Sequence, residues 1–71
     1  MIKYHPIDGD YVQLRSGKTG VAKIIVGDTD HIFVSFRRHP EQNRTVDLDD
    51  VERAWDCTVG TQGRPSFERK S

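Results

Sequence analysis

A lysine between glycine and threonine is the first feature of this sequence that could do chemistry. Gly17-Lys18-Thr19 has the residue types that end a phosphate-binding loop, where backbone N–H groups and a lysine hold a phosphate. That motif also needs a glycine five residues before Gly17, where this chain has Val12, and a helix after the loop, where this chain has a β-branched run. We therefore predict a turn with an exposed lysine.

Histidine and cysteine could bind a metal or support nucleophilic catalysis. The chain contains three histidines and one cysteine, which are His5, His31, His39 and Cys57. No two of them have the i, i+2 spacing of a strand or the i, i+4 spacing of a helix that brings two metal ligands to one face. No serine or cysteine has a base beside it in the sequence. We expect no metal site, no cofactor and no catalytic group within a single chain.

The distribution of charge is more informative than its sum, because 11 basic residues balance 11 acidic residues over the whole chain. Between residues 15 and 44 there are six basic and three acidic side chains, whereas residues 45–56 contain five acidic side chains and one basic side chain. The chain is therefore a charge dipole along its sequence. Such a pattern suits a phosphate-bearing ligand, a charged protein partner or a second copy of the chain.

The basic half of the chain predicts a candidate nucleic-acid interface, because lysine and arginine contacts to phosphates supply most non-specific affinity. Tyr11 lies on the outward face of the first predicted strand and could stack on a base. The candidate residues are Arg15, Lys18, Arg37, Arg38 and Arg44. The alternative is a solvated surface with compensating charges, since the chain has no basic excess.

The acidic half predicts a second kind of surface, for protein contact or self-assembly. Tryptophan is enriched at binding hot spots, and opposite charges on one molecule are self-complementary. The candidate interface residues are Trp55, Asp47, Asp49 and Asp50. For Trp55, which is the sole tryptophan, the alternative is packing in the core.

The elements that must position these residues are short strands. Alternation of apolar and polar residues, or a β-branched run, predicts strands over 11–15, 21–26, 31–36, 44–48 and 54–59. Residues 49–53 are typical of a single 3-10 turn, and no segment has a helical period. We predict an all-β fold, namely a five-stranded SH3-like small barrel with one 3-10 turn before the last strand.

The predicted core consists of the inward positions of those strands. We expect the second strand to be central and buried on both faces, because nearly all of its residues are apolar. The expected core residues are Val12, Leu14, Val21, Ile24, Val26, Ile32, Val34, Phe36, Val46, Leu48 and Val51.

The same pattern resembles SH3-like small barrels over about residues 9–55. Residues 9–17 (GDYVQLRSG) are similar to the opening of such barrels, Gly20-Val21 leads the second strand as in KOW-type modules, and residues 46–52 (VDLDDVE) are similar to the closing segment. KOW and Tudor-like modules, the terminal barrel of MutS2-type proteins and the plasmid-type (type II) dihydrofolate reductases share this pattern. The resemblance implies a barrel that binds nucleic acid or protein.

The resemblance to the reductases extends to Gly9-Asp10, Val12, Ser16-Gly17 and Glu52-Arg53. That family works as a tetramer through a Val-Gln-Ile-Tyr segment, and the matching stretch here is Val46-Asp47-Leu48-Asp49. The glutamine and tyrosine that contact the ligands are thus replaced by Asp47 and Asp49, whose charges would repel anionic ligands. We expect a protein that is not an enzyme.

The sequence thus predicts a barrel domain over residues 1–59 and a flexible tail over residues 60–71, in which periodicity is lost. With no export signal, no apolar span and one cysteine, we expect a cytoplasmic protein without membrane contact. The predicted function is a non-catalytic binding module for nucleic acid or a protein partner. The alternatives are a self-assembling homo-oligomer, which the small size favours, and an oligomer with a shared reductase-like active site.

Overall fold

The computed structural model describes residues 4–58 and 60–69, and these form one antiparallel sheet. Its six strands are β1 (Tyr11–Leu14), β2 (Thr19–Ile24), β3 (His31–Ser35), β4 (Arg44–Asp47), β5 (Val51–Trp55) and β6 (Phe67–Glu68). Three short 3-10 helices cover Pro40–Gln42, Leu48–Asp50 and Gly60–Gln62. The all-β class predicted from the sequence is confirmed for these residues.

The strand order is β4-β3-β2-β1-β5-β6, so the first four strands form a meander and β5 returns to pair with β1. The order is open, because β4 and β6 each have one paired neighbour in the described chain. A register shift between Gln13 and Leu14 interrupts the pairing of β1 with β5. Such irregularities increase the local twist of a sheet.

The turn before β5 is present, but its predicted bounds were wrong. We predicted a 3-10 turn over 49–53 and a strand over 54–59, whereas the turn covers Leu48–Asp50 and the strand begins at Val51. Val51 is fully buried and pairs with Leu14, which places it in the sheet and not in the turn. Residue 59, at the end of the predicted strand, lies outside the described residues.

Eight of the eleven expected core residues are buried. They are Val12, Leu14, Ile32, Val34, Phe36, Val46, Leu48 and Val51. The expectation was wrong for Val21, which is half-buried, and for Ile24 and Val26, which are 46% and 95% exposed. The buried residues absent from that expected core are Tyr4, Asp10, Ala22, Ala54 and Trp55.

Strand β2 is not buried on both faces, and its small inward residue explains the error. Ala22 lies opposite Val34 and is fully buried, so its neighbours Val21 and Lys23 point to the other face of the sheet. Val26 follows the end of the strand. Hydrophobicity alone therefore assigned Val21 and Val26 to the core, whereas pleating and chain position put them outside. Ile24 shares the face of Ala22 but is 46% exposed at the end of the strand.

The segment before β1 is anchored by a buried polar pair. The Tyr4 hydroxyl donates a hydrogen bond of 2.7 Å to Asp10 Oδ2, and both side chains are almost completely buried. Burial, and then the hydrogen bond to Asp10, raise the pKa of Tyr4 well above its ordinary value of 10.0. Tyr4 therefore keeps its proton and satisfies a carboxylate that would be unfavourable in the core alone.

The segment from residue 60 onward contains regular structure, although its sequence has no periodicity and suggested a tail. Strand β6 pairs with β5, with Phe67 opposite Ala54 and Glu68 opposite Arg53. The Phe67 ring lies 5.2 Å from that of Tyr4, centroid to centroid. The division into a domain over 1–59 and a tail over 60–71 stays a prediction.

No helix in the described part of the chain has the length and hydrophobicity needed to cross a membrane.

Candidate nucleic-acid interface

A groove of about 530 Å³ lies at the end of the sheet where β2 begins and β3 ends. The turn after β1 forms one wall, and the loop after β3 forms the other. The lining residues are Tyr11, Gly17, Lys18, Thr19, Gly20, Val21, Ser35, Phe36, Arg37, Arg38, His39, Gln42 and Thr61. No carboxylate is among them, so the described lining is cationic.

Three of the five basic residues predicted to bind nucleic acid line this groove. Lys18 comes from the turn between β1 and β2, and Arg37 and Arg38 come from the loop after β3. The Lys18 ammonium donates a hydrogen bond of 2.6 Å to Gln42 Oε1. Within residues 4–58 and 60–69, neither Arg37 nor Arg38 has a hydrogen bond or an ion pair, so both guanidinium groups are available to a ligand.

The structure does not bring the other two predicted basic residues into the groove. Arg15 is exposed and its Nε donates a 2.8 Å hydrogen bond to the carbonyl of Asp49, near the 3-10 turn before β5. Arg44 is exposed at the start of β4, which is an edge strand. Spacing in the sequence could not separate these two residues from the groove residues.

The floor of the groove depends on a close approach of β2 to β3. A Cβ atom at Gly20 would lie 2.6 Å from Val34 Cγ1 and 2.7 Å from the Ser35 carbonyl oxygen. Only glycine fits at such distances, which fall well inside van der Waals contact. The glycine that leads the second strand in the sequence thus allows β2 to pack closely against β3 beside the groove.

Tyr11 contributes an aromatic side chain to the groove and lies on the outward face of β1, as expected from the alternation of the strand. It lies opposite Val21 of β2 and opposite Trp55 of β5, and all three belong to the face of the sheet turned away from Val12 and the core. A half-buried tyrosine ring beside cationic groups is an arrangement that suits an unpaired base.

Trp55 is buried, with 8% of its surface exposed, yet it does not belong to the cluster of buried core residues. It lies on the same face as Tyr11, and its indole N–H donates a 3.0 Å hydrogen bond to the carbonyl of Gly63. Residues 60–63, which we call the cover segment, contact the indole through that hydrogen bond. Its burial agrees with the alternative of a packed residue and not with that of an exposed interface residue, although Trp55 lies on the face of the sheet turned away from the main cluster.

The three predicted acidic interface residues are exposed, but Trp55 is not exposed beside them. Asp49 and Asp50 lie in the 3-10 turn before β5, and Asp47 ends β4. Asp47 Oδ1 lies 2.7 Å from His31 Nε2. The interface expected from these four residues therefore stays a prediction.

The opposite end of β3 carries a paired histidine. His31 Nδ1 lies 3.0 Å from Asp28 Oδ2, on the side away from Asp47. The hydrogen bond that His31 donates to the Asp28 carboxylate raises the pKa of His31 above 6.5, and the charge of Asp47 adds to this. The backbone N–H of Asp30, and then His31, lower the pKa of Asp28 below 3.8.

The described residues offer no metal-binding cluster, and their one cysteine is not part of a disulfide. Within 4–58 and 60–69, no group of three or more histidine, cysteine and carboxylate side chains could hold a metal ion. Cys57 is a free, exposed cysteine just after β5.

Two polar groove residues, Gln42 and Thr61, were not singled out from the sequence, because a polar residue in a loop has no pattern. His39 was considered there as a metal ligand. Gln42 is placed by the 3-10 helix Pro40–Gln42, and Thr61 reaches the groove from a segment that follows β5.

Comparison of the chain with models of protein families, with curated proteins and with solved structures finds no match in any of the three. The function must therefore be argued from the groove.

Proposed function

We propose that this chain is a small, non-catalytic binding module whose groove binds single-stranded nucleic acid. The observation that carries the proposal is the convergence of Lys18, Arg37 and Arg38 beside the ring of Tyr11 in one groove. Cations that follow a backbone and an aromatic ring on which a base stacks are the two components of single-strand recognition.

The proposal includes an SH3-like barrel of the KOW or Tudor-like kind. Two features support it: the meander of β1 to β4 with β5 returning to β1, and the 3-10 turn directly before β5. Small barrels of this type present loops and one sheet face, and function resides in the site that those loops form.

A single strand suits the groove better than a duplex does. The bases of a duplex are stacked on one another, so the Tyr11 ring could not reach a base face, whereas the bases of a single strand are open to it. Base–aromatic stacking contributes about 1–3 kcal/mol per base. The three cations would add the salt-dependent part of the affinity.

A binding role fits the lining better than catalysis does. General acid–base catalysis on phosphate esters needs a positioned pair of proton donors and acceptors, and the described lining holds one histidine, His39, and no carboxylate. The proposal also keeps the cytoplasmic location expected from the sequence.

The test is a titration of a fluorescently labelled 12-nucleotide oligo-dT, followed by anisotropy, at several salt concentrations. Three phosphate contacts to a single strand predict a slope of log affinity against log salt of about −2. The double variant Arg37→Glu with Arg38→Glu should lose affinity by on the order of 100-fold, because two attractive contacts become repulsive.

The matched control is Arg15→Glu with Arg44→Glu, which changes the net charge equally but lies outside the groove. Circular dichroism checks that both double variants remain folded. If the control variant loses as much affinity as the groove variant, or if affinity does not depend on salt, the groove is not the site.

A second candidate function, self-association, is favoured by exposed apolar side chains at the other end of β2. Ile7 and Ile24 are 62% and 46% exposed, and the Ile24 backbone N–H donates to the Asp8 carboxylate, which brings the two isoleucines into one region. Val26 is 95% exposed nearby in the chain.

Light scattering coupled to size exclusion, at two protein concentrations, tests this second function. A dimer or larger species that dissociates in Ile24→Lys would support it, whereas a mass of 8.1 kDa at both concentrations would exclude it. The same monomer would exclude the reductase-like alternative, because that site needs several subunits.

A further inference from the structure

A second aromatic residue, the buried Trp55, lies next to the groove. Trp55 lies directly opposite Tyr11 on the adjacent strand, on the same face of the sheet. Side chains at directly opposite positions of an antiparallel pair are in contact range. Trp55 does not line the groove in the described residues, but Thr61 of the cover segment does.

The cover segment, which contacts Trp55, consists of small and polar residues. Gly60 and Gly63 have no side chain, and Thr61 and Gln62 are exposed. The direct hydrogen bond between the cover and the indole runs from Trp55 Nε1 to the Gly63 carbonyl. No side chain of the cover segment is buried, so apolar packing of its own does not hold it in place.

The ends of the cover segment are held independently of the cover itself. Upstream, the chain leaves β5 directly, and the Gly60 N–H donates to the Asp56 carbonyl in a local turn. Downstream, the Ser66 N–H donates to the Ala54 carbonyl and β6 pairs with β5. Apart from the Gly60 N–H, these hydrogen bonds involve no group of the cover segment.

We infer that Trp55 is a second base-stacking residue of the groove and that residues 60–63 are its displaceable cover. This inference rests on the proposed function, because the occupant that replaces the cover is a base of the single strand bound beside Tyr11. A stacked base restores the burial of the indole that displacement of the cover removes. Successive bases on successive aromatic rings are the usual arrangement on single-strand platforms.

The test uses the intrinsic fluorescence of the full chain, since Trp55 is its sole tryptophan. Two unlabelled 12-mers are titrated: oligo-dT, and an abasic sugar-phosphate strand of the same length as the matched control. We expect oligo-dT to quench Trp55 emission by more than half, with the midpoint found by anisotropy. The abasic strand should bind more weakly and leave the emission close to that of the free protein.

Each outcome separates the inference from the proposed function. Binding of oligo-dT with unchanged Trp55 emission overturns the inference and leaves the groove function standing. Equal quenching by both strands overturns stacking by Trp55, because the abasic strand has no base to offer. If neither strand binds, the proposed function fails and the inference fails with it.

Discussion

The two ends of strand β3 hold charged side chains in opposite ways. Where β3 begins, His31 lies between Asp28 and Asp47, with nitrogen–oxygen distances of 3.0 and 2.7 Å. Beyond its other end, Arg37 and Arg38 have no ion pair within residues 4–58 and 60–69. The difference indicates where the chain uses charge for its own structure and where it leaves charge available for a ligand.

The end of β3 that begins with His31, which we call the paired end, does not resemble a binding site. Both ring nitrogens of His31 already have a carboxylate partner. Exposed ion pairs of this kind contribute little to stability. Their effect is instead to make the folded state sensitive to pH. At the other end of β3, which we call the groove end, Arg37 and Arg38 would gain most of their interactions from outside the chain.

The largest effect is expected from filling the space at Gly20, which lies near the start of β2, at the end of the sheet that holds the groove. Gly20→Ala should destabilise the fold by about 2 kcal/mol, because the new methyl group meets the Ser35 backbone, which cannot yield easily. Urea unfolding measures the loss. Thr19→Ala, at the adjacent exposed position, is the control, and an equal loss there would show that the close approach of β2 to β3 is unimportant.

A smaller effect is expected from removing one cation of the groove. Lys18→Gln should weaken oligo-dT binding about fivefold and reduce the salt slope by roughly one, since one phosphate contact is lost. Anisotropy titrations at four salt concentrations measure both quantities. An unchanged slope with weaker binding would mean that Lys18 acts through Gln42 and not through a phosphate.

The paired end should give stability a maximum along the pH scale. The raised pKa of His31 means that its pairing stabilises the fold below pH 6.5 and that this stabilisation is lost as pH rises through the raised pKa. The lowered pKa of Asp28 means that its contribution exists above pH 3.8 and is lost as pH falls through the lowered pKa.

We therefore expect the thermal midpoint to be highest between pH 3.8 and 6.5 and to decline on both sides. Thermal unfolding from pH 3 to pH 9, followed by Trp55 fluorescence, measures it. His31→Gln should flatten the decline on the alkaline side. If that variant keeps the full alkaline decline, groups other than His31 cause it.

The smallest effect is expected when the paired end is altered and the groove is assayed. Asp28→Asn keeps the side-chain oxygen that accepts from the Asp30 backbone N–H and removes the charge. Oligo-dT affinity should stay within about twofold, because charge at the far end of the strand is screened by salt. A larger change would mean that the two ends of β3 are not independent.

Much of the fold was predictable, because alternation along a strand reports which face is buried. Ile32 and Val34 of β3 were placed correctly on this basis. Strand β2 was not, since a continuous apolar run hides the pleat, and the inward residue, Ala22, is the least conspicuous of the run. Tyr4 was missed because its burial depends on Asp10 and Phe67, which no local pattern connects to it.

Which basic side chains lie together was only partly predictable from the sequence. Lysine and arginine in loops suggested phosphate binding, and three of the five lie together. Whether a loop cation reaches the groove depends on which strand ends meet, so Arg44 could not be distinguished from Arg38 in advance. The position of Trp55 depends on a segment that returns over the sheet, which is a tertiary feature without a sequence signal.

The contact between Tyr4 and Phe67 places the beginning and the end of the described fold side by side. A polypeptide can therefore enter and leave this unit at nearly one point. Such an arrangement favours circular permutation and insertion into a surface loop of another protein. The groove is lined mainly by the turn after β1 and the loop after β3, and neither Tyr4 nor Phe67 is among its lining residues.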